Sequence, residues 1–248
     1  MHTDLASTPV LTTLDDADRR ALEHLLRAAR GHVHLPPLGA FRRMESDEIW
    51  AKLVRQACVL GSSREMERIE HDPVKAKKFF AAIRPAALRD AGLIRKQMSR
   101  VLSDYQATRF PLRTARALTE MLDNERIVVG TRVVLLEGLD MERSGDELRA
   151  ELRRRCPLLS LKCASDFMIE VGLSHDVIAL DTKVLAALRA WFGCEVSMTV
   201  VQSREAVYTS IEAALRSECA RLGVRLGELG RTITQLSGKT ALEFLMER

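Results

Sequence analysis

The 248-residue chain is poor in the residues that build several common architectures. Aromatics make up 4% of it, with 13 Gly and 7 Pro. Sandwiches and barrels need many turns and β-favouring aromatics, so this scarcity argues against them. No run of 18 apolar residues occurs, so no transmembrane helix is expected. The opening Met1-His2-Thr3-Asp4 carries no basic segment followed by an apolar one, which argues against secretion. The five cysteines (Cys58, Cys156, Cys163, Cys194, Cys219) include no C-x-x-C pair. A disulfide framework, a zinc ribbon and a four-cysteine iron–sulfur cluster therefore lack support. No metal or cofactor is expected.

What is abundant is Ala, Leu, Arg and Glu, a helix-forming composition. The net charge of +4 is modest but unevenly placed. Residues 38–100 hold 14 Lys or Arg against 8 Asp or Glu, including Lys75, Lys77, Lys78, Arg95, Lys96 and Arg100. Such a stretch suits a polyanion, although on charge alone a solvated helical face is the favoured reading.

Start and stop signals predict a nearly all-helical chain. A helix follows Asp15-Asp16 and ends before Gly31. Another opens at Ser46-Asp47-Glu48 and closes at Gly61-Ser62-Ser63. Further helices are expected from Asp72-Pro73 to Pro85, over 86–106, and from Pro111 through Leu122. The stretch Arg126–Leu136 is the one β-like segment, readable as a short hairpin or as buried irregular chain. Ser144 and Glu147 form a capping-box pattern ahead of the next helix. Two last helices are expected near 203–222 and 225–236.

The chemically informative stretch is Arg155–Leu188. It reads as helix, tight turn, helix, loop, helix. The turn Pro157-Leu158-Leu159-Ser160-Leu161 delivers Lys162 to a first helical turn, where unpaired N–H groups and the positive dipole end lie. That field disfavours the ammonium form and so favours the nucleophilic amine. Asp181 follows the apolar run Val177-Ile178-Ala179-Leu180 and opens the next helix. Taken singly, the lysine reads as a solvated side chain and the aspartate as an N-cap. The order of elements gives them joint meaning.

In that order the chain resembles the helix-hairpin-helix DNA glycosylases, whose pattern is a hairpin ending in a lysine, an apolar helix and an aspartate opening another helix. Lys162-Cys163-Ala164-Ser165-Asp166-Phe167 and Ile178-Ala179-Leu180-Asp181-Thr182-Lys183 carry the match. The compact type-2 8-oxoguanine glycosylases look most similar. Arg109-Phe110-Pro111-Leu112-Arg113 resembles their aromatic-proline-basic stretch, and Trp50–Ser63 their base-pocket helix and turn. Tyr208–Glu212 and Gly238-Lys239 resemble their C-terminal helices. The chain departs from the pattern at Leu158 and Ser160, where glycines are usual, and at Lys183, where histidine is common.

The resemblance implies an all-α fold of two helical subdomains flanking an active-site cleft. One would comprise 1–60 plus 186–248, the other 61–185, with the helix-hairpin-helix near 145–171. It implies a base-excision-repair glycosylase and AP lyase removing an oxidised purine, 8-oxoguanine first among them, through a lysine Schiff base. Catalysis would fall to Lys162 and Asp181. DNA contacts would come from Leu159, Ser160, Lys183, Arg113 and Arg155, and the base pocket from Ser62, Ser63 and Lys239. Trp50, Phe79, Phe80 and Phe110 are the few aromatics able to stack on an extruded base, and each also suits a core. The partner would be duplex DNA with a damaged base or abasic site, engaged by a monomer in a bacterial or archaeal cytoplasm. The competing readings are a pyrimidine glycosylase similar to endonuclease III without its cluster, and a non-catalytic helix-hairpin-helix DNA-binding module.

Overall fold

The computed structural model describes residues 14–28, 33–59, 62–90 and 92–236. Among them the chain is all-helical apart from one two-stranded hairpin, as its composition predicts. The helices are α1 (Asp16–Ala28), α2 (Ser46–Cys58), α3 (Arg64–Glu70), α4 (Pro73–Ile83), α5 (Pro85–Asp90), α6 (Ile94–Asp104) and α7 (Pro111–Leu122). After the hairpin come α8 (Gly145–Arg155), α9 (Leu161–Glu170), α10 (Thr182–Phe192), α11 (Met198–Ser203), α12 (Glu205–Arg221) and α13 (Leu226–Leu236).

Local chemistry accounts for most boundaries. Asp72 caps α4 by accepting from the Val74 and Lys75 amides, each at 3.0 Å, and Pro73 occupies the first turn, where its missing N–H costs nothing. Gly193 ends α10 in the left-handed region at φ 60°. Two expectations need correction. The helix expected over 86–106 is two helices, because Gly92 takes φ 71° and breaks the run between α5 and α6. A short helix, α3, fills part of what reads as loop after Gly61.

The chain divides into two compact units. The first comprises Met1–Leu38, Ser144–Asp146 and Leu161–Arg248, and the second Gly39–Arg143 and Glu147–Ser160. This differs from the expected division in three places, the smallest being Ser144–Asp146, which fall in the first unit. Residues 39–60 belong with the second unit because α2 packs on α7 and on the hairpin. Residues 161–185 belong with the first because Leu161, Ile178, Leu180, Val184 and Leu185 enter its core.

In the second unit, α6 runs along α7, and Trp50 is fully buried with its indole N–H donating to the Ile83 carbonyl at 2.8 Å. Phe79 is enclosed beside Tyr105 and Phe80, at ring separations of 5.4 and 5.0 Å. The hairpin pairs Val128 with Val133 and Val129 with Arg132 in antiparallel register, so of the two readings of Arg126–Leu136 it is the hairpin that forms. In the first unit, one apolar core joins Leu22 and Leu25 of α1 to Ile178, Leu180 and Leu188, and to Tyr208, Ile211 and Leu215 of α12 and Leu229 and Ile233 of α13. Gly230 lets α13 lie against Ile178, since a Cβ there would sit 2.9 Å from the isoleucine side chain.

Candidate active site

The lysine-bearing turn forms as the sequence predicts. Helix α8 ends at Arg155, the Leu159 amide donates to the Cys156 carbonyl at 3.0 Å, and α9 begins at Leu161. Lys162 is therefore the second residue of α9, in its first turn. The turn is anchored within its unit by Arg155. This guanidinium donates to Glu151 at 2.8 Å, to the Leu135 carbonyl at 3.0 Å and to the Glu137 carbonyl at 2.6 Å. Glu151 also takes two bonds from Arg154. These hydrogen bonds, Arg154 first and Arg155 second, hold the Glu151 carboxyl down at about 2. Arg155 thus braces the hairpin. Leu159 is buried, so any contact it makes with a ligand falls to its backbone, while Leu158 and Ser160 are exposed.

Lys162 Nζ lies 3.6 Å from Asp166 Oδ2, one helical turn further along α9. Asp166 Oδ1 receives Arg231 Nη2 from α13 at 3.0 Å, and the same Arg231 atom lies 3.5 Å from Glu170 Oε1. Lysine, aspartate, arginine and glutamate thus form one connected ionic network. The lysine side chain is 18% exposed and that of Asp166 10%. Sequence reading singled out neither Asp166 nor Arg231.

Asp181 caps α10. Its Oδ1 accepts from the Lys183 amide at 2.9 Å and the Val184 amide at 2.8 Å, so both capping bonds fall on one carboxylate oxygen. The extended segment that delivers Asp181 is held from α12. Tyr208, 1% exposed, donates its phenolic proton to the Ile178 carbonyl at 2.6 Å and accepts from the Leu180 amide at 3.3 Å. With that proton committed, Ser165 of α9, 3.3 Å away, is a donor to the same oxygen. The fully buried Glu212 accepts from the Ile178 amide at 3.0 Å. Tyr208 therefore ties the helix that carries Lys162 to the segment that carries Asp181. The tyrosine and glutamate recur four residues apart on α12, a spacing that places both on one helical face and was the available signal.

Of the other residues expected at the site, the Lys183 side chain is exposed at the head of α10 and Arg113 at the head of α7. Ser62 and Ser63 are half-buried at the start of α3, where the Ser62 hydroxyl accepts from the Arg64 amide at 3.2 Å. Lys239 lies outside the described residues. Trp50 and Phe79 are core, whereas Phe110 is 48% exposed directly ahead of Pro111. Its neighbour Arg109 pairs with Glu65 of α3 at 3.2 Å. Glu65 is held below the usual carboxyl range, chiefly by the Ser62 hydroxyl. All five cysteines are buried, and none is in a disulfide. Among the described residues, no group of three or more His, Cys, Asp or Glu is placed to hold a metal ion, and no helix is long and apolar enough to cross a membrane.

No family model and no curated protein matches the chain. Two solved structures do. One is the Methanocaldococcus jannaschii 8-oxoguanine DNA glycosylase, with a TM-score of 0.61 at 18% identity over 89% of this chain and 94% of that one. The other is the 8-oxoguanine glycosylase/lyase of the same organism in complex with a 15mer DNA containing 8-oxoguanine, with a TM-score of 0.59 at 18% identity over 89% of both chains. The chain shares the fold of these DNA glycosylases.

Proposed function

We propose that the protein is a bifunctional DNA glycosylase and AP lyase that excises an oxidised purine, 8-oxoguanine above all, through a Schiff base on Lys162. The observation that carries this reading is that Lys162 stands in the first turn of α9 after a tight turn and Asp181 at the head of α10, on two elements joined through Tyr208. A chain with a glycosylase fold that keeps both groups at helix starts supports this reading, with Lys162 as the nucleophile and Asp181 as the anion.

A base inside a duplex is out of reach, so the damaged nucleotide leaves the stack before reaction. As the glycosidic bond weakens, positive charge grows on the sugar, and the Asp181 carboxylate stabilises it. The neutral amine of Lys162 attacks the anomeric carbon and the base departs with the bonding electrons and a proton. The ring opens to an imine between Lys162 and the sugar. Loss of a proton from the neighbouring sugar carbon then expels the 3′ phosphate by β-elimination, and water releases the lysine. Among the described residues, Phe110 is the exposed aromatic able to stack on a base, and Arg113 and Lys183 can meet phosphates as point charges. The substrate is duplex DNA bearing the damaged base or an abasic site, and the protein acts on it as a monomer.

The test is base release from a panel of duplexes that each carry a different lesion. Release of 8-oxoguanine followed by strand cleavage is expected from the wild type, with Asp181→Asn slowed at the release step. Release confined to oxidised pyrimidines would reassign the substrate. Inertness towards every duplex, with binding retained, would mark a binding module.

A further inference from the structure

The lyase reading needs Lys162 as a neutral amine, yet its Nζ sits 3.6 Å from the Asp166 carboxylate. A carboxylate that close favours the ammonium. The start of α9 pushes the other way, through its dipole. The balance is altered by a third group. Arg231 reaches across from α13 to Asp166 Oδ1 at 3.0 Å and to Glu170 at 3.5 Å, so the anion next to the lysine is shared with a permanent cation. The four side chains are between 10% and 21% exposed, which keeps solvent screening low.

We propose that Asp166 and Arg231 are a positioning pair for Lys162: Asp166 orients the amine at the head of α9, and Arg231 weakens the carboxylate's hold on the ammonium so that the neutral form is reached more readily. Neither residue touches the reacting carbon. The proton step is simple. One N–H bond of the ammonium breaks, the proton passes to water, and the lone pair stays on nitrogen. Removing the anion makes that step easier and removing the cation makes it harder. Among the described residues, the charged groups of this network include Asp166 and Glu170 of α9 and Arg231 of α13, and Asp181 stands at the head of α10 in the same unit. The use of the pair in catalysis rests on the lyase reading, but the pair itself does not.

The decisive experiment follows Lys162 without DNA. The full-length protein is labelled with trace acetic anhydride across a pH series, and the Lys162 peptide is quantified by mass spectrometry against the other lysines. Asp166→Asn is expected to move the midpoint of Lys162 labelling down by about 1–3 pH units. Arg231→Gln is expected to move it up by about one unit, and Arg231→Lys to restore most of that loss. If Arg231→Gln fails to fold, as judged by circular dichroism, the near-isosteric Asp166→Asn carries the test. A midpoint unmoved in Asp166→Asn, or moved in the same direction by both variants, overturns the proposal.

The same variants are then compared in borohydride trapping on a duplex with one abasic site, where the acidic limb of the pH profile should move as the labelling does. Labelling that shifts as stated while the wild type traps no DNA would uphold the pair and overturn the lyase reading. Trapping through Lys162 with no shift in either profile would do the reverse.

Discussion

Tyr208→Phe deletes one oxygen from the first unit and tests whether α12 sets the position of Asp181. The ring is 1% exposed and stays in place, so no cavity larger than that oxygen opens. Three groups lose a partner: the Ile178 carbonyl, the Leu180 amide and the Ser165 hydroxyl. A buried polar group left unmade costs about 1–3 kcal/mol. The losses are not additive, because all three converge on one atom and Ser165 can rotate to another acceptor. A total of about 2–4 kcal/mol follows. For a protein of this length each kcal/mol lowers the melting temperature by about 2–4 °C, so a fall of about 4–16 °C is expected. The freed segment also carries Asp181. A displacement of about 1 Å at a reacting group can cost about a hundredfold, so trapping should slow by about tenfold or more while duplex affinity changes little. Calorimetry and single-turnover trapping, run on the same samples, measure both. A variant that melts within about 1 °C of the wild type and traps at the same rate would refute the role given to Tyr208.

The remaining predictions concern separate features. Phe110→Ala removes an exposed ring, so it should alter stability by less than about 0.5 kcal/mol yet weaken binding to a lesion duplex by about 1–3 kcal/mol in a titration, the worth of one base stack. Glu151 has a carboxyl held down at about 2, so its contribution is complete above the usual 4.5 and is lost as pH falls from there towards 2. Glu151→Gln should remove that part of the acid dependence in denaturant melts. His175 is buried with its Nε2 unpartnered among the described residues, and burial keeps it below the usual 6.5, against the pull of the Pro36 backbone. Folding therefore favours its neutral form, so its contribution is full above 6.5 and declines as pH drops below it. His175→Gln should flatten that decline.

The site was legible in the sequence where its signals are local. Pro157 forces the turn, the residues after it start a helix with Lys162 in its first turn, and Asp181 caps the helix that Gly193 ends. Each of these needs only neighbours within a few positions. The Asp166–Arg231 pair joins residues 65 positions apart, and nothing in either local stretch announces the other. Helix α3 escaped notice because Arg64–Glu70 is short and mostly charged, with no side-chain cap at Ser63. The break at Gly92 was visible only as one glycine in a helical pattern, a residue helices often tolerate. The division into units is not legible locally, because α2 is placed by contacts with α7 and the hairpin, which lie far along the chain.

The central claim is that Lys162 forms a covalent imine with DNA. Full-length protein is mixed with a duplex carrying one 8-oxoguanine or one abasic site, reduced with borohydride, digested and mapped by mass spectrometry. The wild type should give an adduct on the peptide that contains Lys162, and Lys162→Gln should give none while still binding the duplex. Absence of an adduct in the wild type, or its persistence in Lys162→Gln, would contradict the account.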